Sequence, residues 1–172
     1  AFAVNAGMYH PGLEPVGLLI EDGVQRADVN TADAPGNFFL KPNGIFWIGD
    51  GQAGVTTTEA WLAAPPEGVR HATQSGPMLL IDGAPHPRFL VESDSRKIRN
   101  GVAVLDGHRV VFAVSEDPVT FHDFALFYRD RIGARDALFL DGTISSLHVP
   151  ELGRSDAGYP LGPILGVVER PQ

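Results

Sequence analysis

Short apolar runs punctuated by Gly, Pro, Asn and Asp dominate this chain, and helical spacing appears only in places. Residues 1–5 and 16–21 alternate or run apolar and predict strands, separated by a loop from Gly7 to Pro15. Phe38-Phe39-Leu40 and Ile45-Phe46-Trp47-Ile48 are aromatic-rich runs on either side of Lys41-Pro42-Asn43-Gly44, which predicts a β-hairpin turning at Asn-Gly. Thr56-Thr57-Thr58 offers caps for a short helix reaching about Ala63 and stopped by Pro65-Pro66. Met78 to Ile81 reads as a short buried strand ending in Asp82-Gly83. Val102 to Leu105, the turn Asp106-Gly107 and Arg109 to Val114 form a second hairpin. One long helix is expected from Thr120, with Asp123 in its first turn. Phe121, Phe124, Ala125, Tyr128 and Ile132 lie at helical spacing, and Gly133 terminates it. Ala137 to Leu140 is a buried strand that carries Asp141-Gly142 at its end, and Ile164 to Val168 closes the pattern.

These elements predict a single α+β domain over residues 1–172, with a mixed, mostly antiparallel sheet, β-hairpins and one long packed helix. The bulk numbers agree: 172 residues with 44% hydrophobic and 20% charged can bury one sizeable core, and 20 Gly with 14 Pro, scattered without a period, serve turns between short strands. No internal repeat or linker divides the chain. A formal charge of -8 argues against nucleic acid or a polybasic membrane contact, because both require a basic face. An anionic ligand must instead be gripped by a few Arg side chains and backbone amides. The absence of Cys removes thiol chemistry and disulfides. No apolar run approaches the roughly 20 residues of a transmembrane helix. Ala1-Phe2-Ala3-Val4 reads as the inside of a strand, so we expect a trimmed N-terminus.

Candidate chemistry concentrates in four places. Leu140-Asp141-Gly142-Thr143-Ile144-Ser145-Ser146 puts a carboxylate at a strand tip and two hydroxyls just beyond it, a pattern that serves either catalysis or turn capping. Gln74-Ser75-Gly76-Pro77 offers neutral hydrogen bonds to sugar hydroxyls or phosphate oxygens, or is an ordinary turn. Ser95 to Gly101 gathers Arg96, Lys97 and Arg99 in an otherwise acidic chain, as a phosphate grip or a solvated basic loop. Asn5-Ala6-Gly7-Met8-Tyr9 leaves the first strand with an amide and an aromatic ring. His10, His71, His86, His108, His122 and His148 lack metal-ligand spacing, and the chain has neither a Gly-x-Ser-x-Gly elbow nor a phosphate-binding P-loop.

In their order, these segments resemble the phosphodiester glycosidase family, whose best-known member uncovers mannose 6-phosphate by removing N-acetylglucosamine. The resembling pieces are Val4 to Tyr9, Gly36 to Gly44, Ala72 to Leu79, Arg99 to Ala103, and Ala137 to Gly142 with Ser145-Ser146. The resemblance is greatest to the bacterial YigE-like branch. It implies a periplasmic or extracellular hydrolase that cleaves the glycosidic bond of a sugar-1-phosphodiester, acting on a sugar-phosphate or glycan substrate. A glycan-binding module on the same fold is the alternative. Arg99 would clamp the phosphate, and Asp141 would act as base or as the anion facing a positively charged sugar. Asn5, Gly7, Gln74, Ser75, Gly76, Gly142, Ser145 and Ser146 would line the substrate. No cofactor is required, although Asp141 could hold a divalent cation through waters. An ordinary glycosidase would need a second carboxylate about 5–10 Å from Asp141, for which Glu92, Asp94 and Asp82 have the chemistry. Thr143-Ile144 replaces glycines usual in the family and predicts a bulkier loop. Ala103, also in place of a glycine, predicts less room beside the backbone.

Overall fold

The computed structural model describes residues 1–142 and 144–169. In chain order its strands are β1 (Phe2–Asn5), β2 (Leu19–Glu21), β3 (Val24–Ala27), β4 (Gly44–Gly49), β5 (Gln52–Thr57), β6 (Val69–Ser75), β7 (Met78–Ile81), β8 (Ala84–Pro85), β9 (Asn100–Leu105), β10 (Arg109–Val114), β11 (Ala137–Asp141), β12 (Leu147–Val149), β13 (Arg154–Ser155) and β14 (Ile164–Val167). Helix α1 (Thr58–Ala63) follows β5. Helix α2 (Phe121–Phe127) follows β10 and runs on as a π turn over Tyr128–Ile132. The described pairings are all antiparallel. They form three sheets rather than one: an inner sheet ordered β10-β9-β11-β7-β8, an outer sheet ordered β3-β2-β6-β4-β5, and an end sheet ordered β13-β12-β1-β14.

Side-chain alternation explains how the layers stack. On β11, Ala137 and Phe139 face α2 and join a buried cluster with Leu79, Ala103, Phe124 and Tyr128. Leu138 and Leu140 point the other way and meet Phe46 of the outer sheet in a second cluster with Met78 and Val102. The far face of the outer sheet buries Ile45, Ala72 and Leu18 against Trp61 of α1. The order is therefore α2, inner sheet, outer sheet, α1, and β11 is the central strand of the inner sheet. Each fully buried Leu or Phe contributes about 1.5–3 kcal/mol, so the strand that carries Asp141 is anchored from both faces.

Helix capping follows the sequence. The Thr57 hydroxyl accepts from the Ala60 amide at 3.2 Å, and the Thr120 hydroxyl accepts from the Asp123 amide at 3.0 Å. Gly133 ends the second helix with φ 76°. The expected hairpin around Asn43-Gly44 is not formed. Asn37–Phe39 is a single 3-10 turn instead, and β4 pairs with β5. Two facts decide this outcome. A Cβ on Gly44 would lie 2.3 Å from Met78 Sδ and 2.7 Å from the Thr56 carbonyl, so Gly44 is a packing position within the strand. The pair Asp50-Gly51 takes positive φ at both residues, 46° and 76°, which is the two-residue turn that matches strand twist.

Candidate active site

Asp22-Gly23, Asp50-Gly51, Asp82-Gly83 and Asp106-Gly107 all have positive φ at both positions. Asp141-Gly142 does not share that conformation. The ladder between β11 and β9 pairs Phe139 with Gly101 and Asp141 with Asn100, so one extra residue is inserted in β11 just before the acid. Such a bulge re-aims the side chain that follows it. Asp141 thereby lines a cavity of about 280 Å³ together with Met8, Asn37, Ser95, Lys97, Arg99, Phe121 and Gly142. It also lines an adjoining, more open cavity of about 410 Å³ walled by Met8, Tyr9, His10, Pro11 and Ile144.

Burial pushes the Asp141 carboxyl up to about 6, against the pull of the Gly142 amide that it accepts from. Its backbone amide donates to Asn100 Oδ1 at 2.6 Å. Asn100 Nδ2 in turn donates to Asn5 Oδ1 at 2.6 Å, and the same Asn5 oxygen accepts from the Ser146 amide at 2.9 Å. Asn5 and Asn100 are both buried, which makes this chain of amides a rigid support behind Asp141. Tyr9 stands in the open cavity, its phenol raised first by burial and then by the Asp141 charge, and its hydroxyl donates to the Pro160 carbonyl at 2.6 Å.

Arg99 is the largest fully buried side chain of the described residues, at 2% exposure. It forms no ion pair within them. Nε donates to the Val119 carbonyl at 2.9 Å and Nη2 to the Ser95 carbonyl at 3.0 Å. The guanidinium carbon sits 3.6 Å from the centre of the Phe121 ring, which stacks on Phe89 at 5.0 Å. Burial alone lowers Arg99 to about 10, so it remains cationic at neutral pH. A cation held by carbonyls and a ring, with no carboxylate on it, keeps its charge available to a ligand.

Other expected residues support the site from behind. Gln74 is buried. Its Oε1 accepts from the Leu18 and Asn30 amides at 3.0 and 2.8 Å, while Nε2 donates to the Asn30 carbonyl and to Thr58 Oγ1 at 2.8 and 3.1 Å. All of its hydrogen-bonding capacity is spent inside the protein. Ser75 is fully buried and donates to the Leu140 carbonyl at 2.8 Å, tying β6 to the end of β11. Neither residue lines the two cavities, because at this register both side chains are consumed by joining the sheets. Gly7 and Gly76 are close-approach positions. An added Cβ would meet the Gln74 carbonyl at 2.4 Å in the first case, and Asn43 Cβ at 2.6 Å and the Phe38 carbonyl at 2.7 Å in the second. Ser145 folds back onto the Gly142 carbonyl at 2.6 Å, and Ser146 onto that of Ile144 at 3.0 Å. Arg99, Asp141 and Gly142 thus converge, with Asn5 two hydrogen bonds from Asp141 through Asn100.

Sequence reasoning missed Asn100, Phe121, Asn37 and Met8 as parts of the site, whereas Lys97 lines it from the basic cluster already singled out. Asn100 follows Arg99 directly, and an Asn at the head of an apolar strand was the available signal. The required second carboxylate is missing: among the described residues, Asp141 is the only acid that lines either cavity. Asp82 pairs with Arg135 beyond the opposite end of β11, five or more residues from Asp141 at about 3.4 Å each. Glu92 and Asp94 are exposed and outside both cavities. No group of three His, Asp or Glu side chains able to hold a metal ion occurs among the described residues.

The family model for phosphodiester glycosidase matches residues 1–167. The chain belongs to this family. The chain is 36% identical over 147 residues to the "Uncharacterized protein YigE" of Escherichia coli strain K12, covering 86% of this chain and 57% of that protein. Among solved structures it is similar to the catalytic domain of zebrafish N-acetylglucosamine-1-phosphodiester alpha-N-acetylglucosaminidase, auto-inhibited by its pro-peptide. That match has a TM-score of 0.60 at 16% identity, over 92% of this chain and 55% of the other. A hypothetical protein from Synechocystis matches with a TM-score of 0.52 at 13% identity, over 87% and 47%. The structural likenesses establish a shared fold, and the chain spans about half the length of these relatives. As a phosphodiester glycosidase family member it departs from expectation at Ala103. That methyl is buried against α2, away from both cavities, and does not narrow them. Ile144, by contrast, walls the open cavity, while Thr143 lies outside the described residues.

Proposed function

We propose that this chain hydrolyses the glycosidic bond of a sugar-1-phosphodiester, releasing the sugar and a phosphate monoester. The observation that carries this reading is a buried Arg99 without a carboxylate partner opening on the same cavity as Asp141, the one acid there among the described residues. A phosphate leaving group already bears negative charge, so its departure needs a cation more than a strong general acid, and a single carboxylate suffices. Arg99 takes the phosphate oxygens and stabilises the charge that grows as the bond from the anomeric carbon to the phosphate oxygen breaks. Ionised Asp141 accepts a proton from the water whose oxygen bonds to the anomeric carbon, and the bonding pair leaves with the phosphate. The open cavity takes the sugar, with Tyr9 and Met8 against its apolar face. We place the reaction in the periplasm or outside the cell, a location with which the lack of Cys accords.

A chromogenic sugar-1-phosphodiester assayed beside the matching neutral glycoside tests the proposal. The diester should turn over and the glycoside should not, with loss of turnover in both Asp141→Ala and Arg99→Ala. Diester turnover that survives both substitutions would remove these residues from the reaction. Tight diester binding without turnover would assign the chain as a sugar-phosphate-binding module.

A further inference from the structure

The cavity holds two cations, and the proposed reaction uses only Arg99. Lys97 lines it beside Arg99 and is exposed, whereas Arg99 is buried. Lys97 and Arg99 alternate along the segment that enters β9, and that segment is held by Lys97 and Val119 exchanging backbone hydrogen bonds at 3.1 and 2.9 Å. No carboxylate pairs with Lys97 among the described residues. The neighbouring Arg96 is different, since its charge is met by Asp123 at 3.3 Å. Asp141, the one acid lining the cavity among the described residues, forms no ion pair with either cation. One cation therefore sits at the cavity floor and a second nearer the mouth, in a chain whose net charge is -8.

We infer that Lys97 reads a second negative charge on the leaving group, so that the preferred substrate carries two anionic phosphoryl groups on that side of the glycosidic bond. This rests on the glycosidase reading for the word substrate, although the binding preference itself does not. The first phosphoryl group contacts Arg99, and the second projects toward the mouth and contacts Lys97. Two sources share this chemistry: a diphosphate, and a phosphodiester whose alcohol bears a further phosphodiester.

Sugar-free probes with fixed charge separate the inference from turnover. Dimethyl phosphate carries one charge. Dimethyl diphosphate and a pair of methyl phosphodiesters bridged by ethylene glycol each carry two. Calorimetric titration of wild type, Lys97→Ala and Lys97→Arg at neutral pH and low salt gives the affinity ratio of each dianion to the monoanion. At least one dianion should bind wild type about tenfold tighter than dimethyl phosphate, as expected for one added charge-assisted contact. Lys97→Ala should bring that ratio to about one, and Lys97→Arg should restore it. Whichever dianion shows the ratio names the source. A ratio near one in wild type, a ratio that survives Lys97→Ala, or no binding of any probe would overturn the inference. Sugar-1-phosphodiester turnover measured on the same samples bears on the catalytic reading alone.

Discussion

Asp141→Asn should make the protein more stable at neutral pH while abolishing its activity. The carboxyl is raised from 3.8 to about 6 in the folded state by burial, which corresponds to about 3 kcal/mol of differential interaction at 1.36 kcal/mol per unit. A carboxyl whose folded value is raised binds its proton more tightly when folded. Its stabilising contribution is therefore complete below about 4 and is lost as pH rises through about 6. Above that window the buried charge is a penalty that Asn removes, and the Asn side-chain oxygen can still accept from the Gly142 amide. For a domain of this size, about 2–4 °C per kcal/mol gives a rise in Tm of about 6–12 °C at neutral pH, shrinking toward nothing in acid. Thermal unfolding of both proteins followed by circular dichroism across the acidic to neutral range measures it. Parallel Tm curves, or a variant that loses stability at neutral pH, would refute the assignment of Asp141 as a desolvated acid.

Arg99→Met should lower diester turnover by about 100- to 1000-fold yet change stability by only about 2 kcal/mol or less. The lost bonds to two carbonyls are offset by relief of the desolvation that lowers Arg99 to about 10, and kinetics together with urea unfolding test both halves. Asn100→Ala removes the acceptor for the Asp141 amide and the donor to Asn5. It should cost about 1–3 kcal/mol in chemical unfolding and reduce kcat more than it raises KM. Gly7→Ala forces a methyl to within 2.4 Å of the Gln74 carbonyl and should destabilise by about 1–3 kcal/mol in the same assay.

The frame of the fold was legible where local chemistry and packing agree. The caps at Thr57 and Thr120, the Asp106-Gly107 hairpin and the strand before Asp141 all appear as their residues predict. Asn43-Gly44 misled because the same dipeptide that permits a turn also fits a glycine pressed against Met78. β6 escaped notice because its buried end, Thr73-Gln74-Ser75, is polar. Those side chains are satisfied by partners 16 to 66 residues away, which no local pattern reveals. For the same reason Gln74 and Ser75 resembled ligand contacts and proved to be the fastening behind the site. Arg99 and Asp141 were legible as chemistry, but their shared cavity depends on the bulge in β11 and on Phe121 arriving from α2, both set by tertiary packing. For Lys97 the sequence left a phosphate grip and a solvated loop both open, and only the fold, which pairs Arg96 with Asp123 and sets Lys97 on the cavity, distinguishes the two residues.

The central claim is cleavage at the anomeric carbon rather than at phosphorus, and hydrolysis of a sugar-1-phosphodiester in oxygen-18 water tests it directly. Mass spectrometry of both products should find the label in the released sugar and none in the phosphate monoester. Label in the phosphate monoester would contradict the account.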